Sequence, residues 1–180
     1  MIAEQTPEEV IERQKAAVYR LAYSRLQNRE DAEDVLQEVF LRYIRNAPEF
    51  ESPEHEHAWF IRVTVNCAKD QFKTYVRKNT ASDDNGETLE RFAERRDDGA
   101  PEFGALERAL AELKPEAREI VHLYYYEGYR TAEIASVVGI GEGSVRSSLA
   151  RSRRRIKKIL EKEGVKIDSL PPFALKSLDY

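Results

Sequence analysis

The stretch that decides the fold is "TAEIASVVGIGEGSVRSSLARSRRRIKKIL", residues 131–160. Its apolar positions lie on both sides of a turn: Ile134, Val138, Val145 and Leu149. Gly139 stands in that turn, where glycine allows a positive φ and the apolar side chains can lock the second helix against the first. The spacing therefore favours a helix-turn-helix over a chance pair of helices.

The second helix of this pair carries its positive charge on one side. Because successive residues of a helix are rotated by about 100°, the side opposite the charges can be read from the sequence, and it is mostly apolar. The residues that share this inward side are Val145, Leu149, Ser152, Ile156 and Leu160. A run of charge is more often a solvated helix face than a binding site. Here it follows a helix-turn-helix pattern, whose second helix enters the major groove of DNA, so we interpret it as a recognition helix.

Early residues of such a helix reach base edges, and later cations meet phosphates. The candidate base-reading residues are Ser144, Arg146, Ser147 and Arg151. The candidate phosphate contacts are Arg154, Arg155 and Lys158. Arg130 and Thr131, at the start of the preceding helix, complete the predicted DNA-binding set. The whole chain has a net charge of -4, so we expect weak binding to DNA alone and a second component that delivers it there.

Composition predicts an all-α fold. The 180 residues are 34% charged, Gly and Pro number only 8 and 7, and strand-like alternation is nearly absent. Residues 79–104 hold eight acidic and three basic side chains and few large apolar ones, which predicts a flexible acidic linker. We therefore expect two small helical domains, residues 1–78 and 105–163, the second containing the helix-turn-helix. An apolar tail of unknown role, residues 164–180, follows them.

Two helices are predicted at the start of the first domain. Thr6 can cap a helix that has Pro7 at its first position and ends near Asn28. The next helix opens near Asp31, and its predicted buried stripe is Ala32, Val35, Leu36, Val39, Phe40, Tyr43 and Ile44. Its opposite face holds Asp34, Gln37, Glu38, Leu41 and Arg45. Leu41 is apolar among polar neighbours, which fits either ordinary exposure or a partner-binding face.

A loop with two prolines is predicted over residues 46–58. His55 and His57 lie in it without further Cys or His nearby, so no metal site is predicted. The single cysteine, Cys67, is expected to be a small buried apolar residue, with redox sensing as a weaker alternative.

The third predicted helix begins at Ala58. Basic residues recur along one flank beside Trp59 and Phe60: Arg62, Lys69, Lys73 and Arg77. Cations beside flat aromatic faces suit single-stranded nucleic acid, whose phosphates and unstacked bases need both. The alternative, favoured from this segment alone, is that the aromatic side chains belong to the core.

Both domains together resemble the extracytoplasmic-function group of bacterial sigma factors, the smallest of the sigma-seventy family. The segments "DAEDVLQEVFLRYI" and "AWFIRVTVNCAKD" are similar to that family's domain two. The segment "LKPEAREIVHLYYYEGYRTAEIASVVGIGEGSVRSSLARSRRRI" is similar to its domain four. The resemblance covers roughly residues 10–160 in the family's order, with a short linker in place of domain three.

The resemblance implies a promoter-specificity subunit that binds core RNA polymerase and promoter DNA and helps to melt it. The polymerase would be held by Asp34, Gln37, Glu38, Leu41 and Arg45. The melted minus-ten element would be held by Phe50, Ser52, Arg62, Asn66, Lys69 and Lys73. The recognition helix would read the minus-thirty-five element. An anti-sigma factor is the implied regulator, and no catalysis and no cofactor are implied.

The runner-up is a stand-alone helix-turn-helix regulator that binds duplex operator DNA without polymerase. A small hydrolase or metalloenzyme has little support, because the three histidines lack ligand or triad spacing. No apolar run reaches the roughly 20 residues that cross a bilayer, and the acidic N-terminus does not resemble a signal peptide. We therefore expect a cytoplasmic protein without membrane insertion.

Overall fold

The computed structural model describes residues 5–79 and 104–165, and every element in these two ranges is helical. The helices are α1 (Pro7–Leu26), α2 (Arg29–Asn46), α3 (Pro53–Asn79), α4 (Ala105–Ala111), α5 (Pro115–Tyr125), α6 (Thr131–Val138) and α7 (Glu142–Lys162). Nearly all of the predicted linker and nearly all of the predicted apolar tail lie outside the described residues. The expected all-α class is confirmed for the part of the chain that is described.

The chain divides into two compact units, Met1–Asp97 and Asp98–Tyr180. In the first unit, α1, α2 and α3 pack against one another in all three pairs. Its core is formed by apolar side chains of all three helices, including Leu21, Leu26, Val35, Val39, Phe60 and Ile61. Burying one aliphatic or aromatic side chain of this size contributes about 1.5–3 kcal/mol to the free energy of folding. The three-helix core therefore stabilises the helices that carry the surfaces described below.

Caps decide where α1 and α2 begin. The Thr6 hydroxyl accepts a hydrogen bond from the Glu9 amide at 3.3 Å, and the Glu9 carboxylate accepts one from the Thr6 amide at 3.0 Å. Asn28 caps α2 by accepting from the Asp31 amide at 3.0 Å. Gln27 between the helices has a φ of 51°, which turns the chain after α1. The predicted helix start at Thr6 and Pro7 is confirmed.

The loop predicted over residues 46–58 is wrong in its second half, because α3 begins at Pro53. Proline suits the first turn of a helix, where its missing N–H would have no helical partner. The Ser52 hydroxyl accepts from the His55 amide at 3.1 Å and caps this turn. The His55 ring Nδ1 accepts from the Glu51 amide at 3.3 Å. Proline was interpreted as a helix breaker at a position where it starts a helix.

Ile44 was predicted to be buried and is 57% exposed. It follows Gln37 by seven residues, which is nearly two full turns, so the two side chains lie only about 20° apart around α2. Gln37 is exposed as predicted. Because neither α1 nor α3 covers that side of α2, Ile44 is in contact with solvent.

In the second unit, the long helix α7 packs against each of α4, α5 and α6. Its inward residues Val145, Leu149, Ser152, Ile156 and Leu160 are all buried, as the helical period predicted. Pro115 occupies the first turn of α5. Gly128 follows that helix with a φ of 71°, and the Tyr129 amide donates to the Leu123 carbonyl at 3.0 Å. The predicted positive φ at Gly139 is confirmed at 79°.

Candidate nucleic-acid and protein-binding surfaces

The outward side of α7 is a stripe of polar and basic side chains. Its exposed members are Ser144, Arg146, Ser147, Arg151, Arg154, Arg155 and Lys158, which are all seven residues of this helix predicted to contact DNA. Arg130 is exposed at the N-cap of α6, and Thr131 is half-buried one residue later. The structure thus places these side chains along one helix and at the start of its partner.

One arginine of the basic run has a structural use. Arg153 is half-buried, and its Nε donates to the Tyr125 hydroxyl at 2.6 Å. Its guanidinium also lies 5.8 Å from the ring centres of both Tyr124 and Tyr125. Because these contacts join α7 to α5, Arg153 stabilises the position of α7. Arg153 is not among the residues predicted to bind DNA.

Glu142, the first residue of α7, is not among the residues predicted from the sequence. One of its carboxylate oxygens accepts from the Thr131 hydroxyl at 2.7 Å and from Arg146 Nη2 at 2.6 Å. The hydrogen bond from Thr131 lowers the pKa of the Glu142 carboxyl below its usual value, and that from Arg146 lowers it further. Glu142 is therefore ionised at neutral pH between two residues predicted to contact DNA. The i,i+4 spacing of Glu142 and Arg146 is the signal that could have found it.

In the first unit, four predicted minus-ten residues form one stripe on α3. Arg62, Asn66 and Lys73 are exposed, and Lys69 is half-buried. Their spacing of four, three and four residues keeps all four within about 60° around the helix axis. A continuous polar and basic stripe of this kind suits a nucleic-acid backbone.

Aromatic side chains lie next to this stripe. Phe50 and Trp59 are half-buried, with ring centres 6.0 Å apart, and Tyr43 stacks on Phe50 at 6.4 Å. Trp59 lies one helical turn before Arg62. Phe60 is fully buried, so its interpretation as a core residue is confirmed. Because Phe50 and Trp59 are half-buried, part of each ring is in contact with solvent.

A buried polar network fixes the start of α3, which directly follows Phe50 and Ser52 in the chain. Glu56, 1% exposed, accepts from Arg13 Nη2 at 2.8 and 2.9 Å and from Gln14 Nε2 at 2.7 Å. Gln14 also contacts the His57 ring nitrogen Nδ1 at 3.0 Å. These bonds tie the first turn of α3 to α1. The network was not predicted from the sequence, because Glu56 was expected to lie in a loop.

The exposed face of α2 combines charge with apolar surface. Asp34, Gln37, Leu41 and Arg45 are exposed and Glu38 is half-buried, so all five predicted residues share one face. Glu38 accepts from Arg42 Nε at 2.7 Å. Leu41 is 44% exposed and lies one turn from the exposed Ile44. This face therefore offers two adjacent apolar side chains among charges, which is a composition suited to a protein partner.

Cys67 is buried in the core of the first unit, as expected. Burial raises the pKa of its thiol to about 11, so the sulfur is protonated and unreactive at neutral pH. Within residues 5–79 and 104–165, no group of three or more His, Cys, Asp and Glu side chains is arranged to hold a metal ion. No helix in the same ranges is long and apolar enough to cross a bilayer.

The chain matches two protein-family models, "Sigma-70 region 2" over residues 10–80 and "Sigma-70, region 4" over residues 103–156. It is 31% identical over 169 residues to the ECF RNA polymerase sigma factor SigE of Mycolicibacterium smegmatis. That match covers 87% of this chain and 62% of SigE, which is less than two thirds of SigE. It is 30% identical over 154 residues to the ECF RNA polymerase sigma factor SigM of Mycobacterium tuberculosis, covering 85% of this chain and 76% of SigM.

The chain belongs to the ECF sigma factors of the sigma-70 family. The region 2 match contains α1 from Val10 onward and all of α2 and α3, and the region 4 match contains α4, α5, α6 and the first four turns of α7. As an ECF sigma factor it directs transcription initiation and is not an enzyme. The stand-alone regulator considered as an alternative is not favoured.

A solved structure shares the fold of this ECF sigma factor. It is the sigma factor RpoE in complex with the anti-sigma factor NepR from Bartonella quintana, with a TM-score of 0.63 and 18% sequence identity. The likeness covers 86% of this chain and 96% of the RpoE chain. At this identity the likeness supports the all-helical fold.

Proposed function

We propose that this ECF sigma factor uses three separate surfaces. The exposed face of α2 binds core RNA polymerase. The stripe on α3, with the Phe50 and Ser52 segment, holds the melted minus-ten element. The outward stripe of α7, with Arg130 and Thr131, binds the duplex minus-thirty-five element. In this scheme residues 1–78 and 105–163 are the two promoter-binding domains, one in each unit, and residues 79–104 are the linker.

The observation that carries the proposal is the two-sidedness of α7. Its inward residues are buried against α4, α5 and α6, while each outward residue predicted to contact DNA is exposed. A helix held in this way can enter the major groove without rearranging its support. Arginines near its start can form bidentate hydrogen bonds to guanine, and cations further along can neutralise phosphates.

The minus-ten role rests on chemistry that the duplex-binding surface lacks. Phosphates of an unpaired strand can follow the stripe from Arg62 to Lys73, while an unstacked base needs a flat apolar partner. Phe50 and Trp59 offer such partners where α3 begins. Holding a base outside the stack favours the melted state of the promoter, because that base is then unavailable for pairing.

Run-off transcription with purified core polymerase tests the proposal. Genomic fragments are transcribed with and without the protein, and the transcript starts are sequenced. We expect starts that need the protein and share two upstream elements at a fixed spacing. Polymerase that neither binds the protein nor initiates, while the protein alone retains duplex DNA, would contradict the proposal.

The α2 surface has its own test. Changing Asp34→Lys together with Glu38→Lys reverses two charges of this face and removes the partner of Arg42. We expect weaker polymerase binding and unchanged binding of duplex DNA. The control Glu8→Lys with Glu12→Lys reverses two exposed charges on α1 and should leave both unchanged.

We further propose that a helical anti-sigma protein competes for these surfaces, and that the chain acts in the cytoplasm, where polymerase and DNA are found. RpoE was crystallised with the anti-sigma factor NepR, and the exposed apolar pair Leu41 and Ile44 is a suitable anchor for a protein partner. A photo-crosslinking residue at position 41 should capture polymerase in one fraction of the chains and a smaller protein in another, and the yield of one crosslink should fall as that of the other rises. Crosslinks to polymerase alone under all growth conditions would oppose this regulator.

A further inference from the structure

Two observations distinguish Glu142 from an ordinary first-turn acid. Glutamate four residues before arginine is the favourable orientation for a pair on one helix, and Arg146 uses it at 2.6 Å. The second bond comes from outside the helix, because the Thr131 hydroxyl at the start of α6 donates to the same oxygen at 2.7 Å. The carboxylate is therefore held from two elements.

This double attachment has a consequence for Arg146. An exposed arginine normally loses rotamer freedom when it binds, and that loss weakens recognition. Arg146 is 67% exposed, yet its Nη2 is already bound to a fixed oxygen. Its other N–H groups remain available for a base edge, since guanidinium has five donors in a rigid plane.

The negative charge of Glu142 weakens non-specific binding to DNA. A carboxylate in the first turn of a helix that enters the major groove lies near DNA phosphates and is repelled by them. The repulsion is the same for every sequence. A correctly placed Arg146 can compensate for it only where the matching base is present.

We propose that Glu142 is a positioning residue that holds Arg146 in its base-reading orientation and so raises discrimination at one base pair while weakening non-specific binding. The inference rests on the proposed function of α7 in reading duplex DNA. It assigns to the Thr131, Glu142 and Arg146 cluster the control of specificity at the start of the recognition helix. With the carboxylate present, the affinity for unrelated DNA is lower and the discrimination between bases is higher.

The test uses the full chain in reconstituted holoenzyme on the promoter identified by run-off transcription. Every position of the upstream element is varied in turn, and the preference for each base is measured for wild type, Glu142→Gln and Glu142→Ala. Glu161→Gln is the matched control. It removes the same charge from the exposed side of α7, roughly 28 Å further along at 1.5 Å per residue.

We expect both Glu142 variants to lower the preference about fivefold to tenfold at one base pair and to change other positions less than twofold. Binding to an unrelated duplex should rise about twofold to threefold, because one repelled charge is gone. Glu161→Gln should change neither quantity. In an Arg146→Ala background, Glu142→Gln should produce no further loss of preference.

Three results would overturn the proposal. Unchanged preference at every position would show that Arg146 does not need the carboxylate. An equal loss in the Arg146→Ala background would mean that Glu142 contacts a base itself, as a carboxylate can with cytosine. A uniform loss at all positions, together with a lower melting temperature, would mean a structural role.

Failure of the proposed function is a separate result. If wild-type holoenzyme initiates at no promoter, the sigma-factor roles assigned to the surfaces are wrong. The same variants are then compared by selecting duplex DNA with the chain alone. A loss of base preference in that selection would still support the positioning role of Glu142, and an unchanged preference would overturn it.

Discussion

The exposed face of α2 and the exposed face of α7 differ in what they leave in contact with water. On α2, Leu41 and Ile44 expose 44% and 57% of their surface beside the Glu38 and Arg42 pair. On α7, the outward residues are serines, arginines and a lysine, with Glu142 at the start. An apolar centre with a polar rim suits a protein partner, whereas a uniformly polar and basic stripe suits DNA.

The difference teaches how one short chain can bind two kinds of macromolecule without interference. Removing apolar surface from water is favourable with any apolar partner. Exposed apolar side chains must therefore be confined to a few positions if binding is to be specific. Cations attract phosphates over a distance of about 8–10 Å at moderate salt, so they can be spread along a helix. We therefore expect substitutions on α2 to weaken protein binding and substitutions on α7 to weaken DNA binding.

The largest effect is expected from Arg146→Ala combined with Arg151→Ala. If both arginines contact bases, minus-thirty-five binding should fall about a hundredfold or more, since each good contact contributes about 1–3 kcal/mol. Polymerase binding should be unchanged. Mobility-shift titration and polymerase pull-down measure the two quantities. Lys15→Ala with Arg20→Ala removes two exposed cations from α1 and serves as the control.

The next largest effect is expected from the apolar residues of the α2 face. Leu41→Ala with Ile44→Ala should weaken polymerase binding at least tenfold, because central apolar contacts each contribute more than about 1 kcal/mol. Duplex binding and the free energy of unfolding should stay within about 0.5 kcal/mol of wild type. Fluorescence anisotropy with labelled core polymerase measures the loss. Ile140→Ala truncates an equally exposed apolar residue of the second unit as the control.

Glu56→Gln tests the support beneath the minus-ten surface. The change weakens the bonds from Arg13 and Gln14 and should cost the first unit about 2 kcal/mol of unfolding free energy. Trp59, the single tryptophan of the chain, reports that unfolding by its fluorescence. Glu12→Gln on the exposed side of α1 should change it by less than about 0.5 kcal/mol. A loss as small as that of the control would show that the network does not support α3.

The smallest effect sharpens the distinction between phosphate and base contacts. Lys158→Ala should weaken duplex binding to a similar degree on all sequences and reduce the slope of log affinity against log salt by about 1. Leu41→Ala should leave that slope unchanged. A change in base preference for Lys158→Ala would contradict its assignment to a phosphate.

Much of the fold follows from local sequence patterns. The Thr6 and Pro7 helix start, the positive φ at Gly139 and the inward side of α7 were all predicted correctly, because each depends on residues within a few turns of one another. The two errors in the first unit have different causes. Ser52 and Pro53 carry the same local helix-start signal as Thr6 and Pro7, and this signal was overlooked. The exposure of Ile44 depends on how α1 and α3 pack against α2, which the local pattern does not contain.

The sequence by itself determined the all-helical class, the helix-turn-helix and the family, since these rest on period, turn chemistry and motif order. Only the tertiary structure decided which side chains meet across elements. It brought Glu56 to Arg13 over 43 residues of chain and Thr131 to Glu142 across a turn. Charge partners of this kind are chosen by packing geometry, because many carboxylates and cations in the chain could pair and the folded backbone brings only a few within hydrogen-bonding distance.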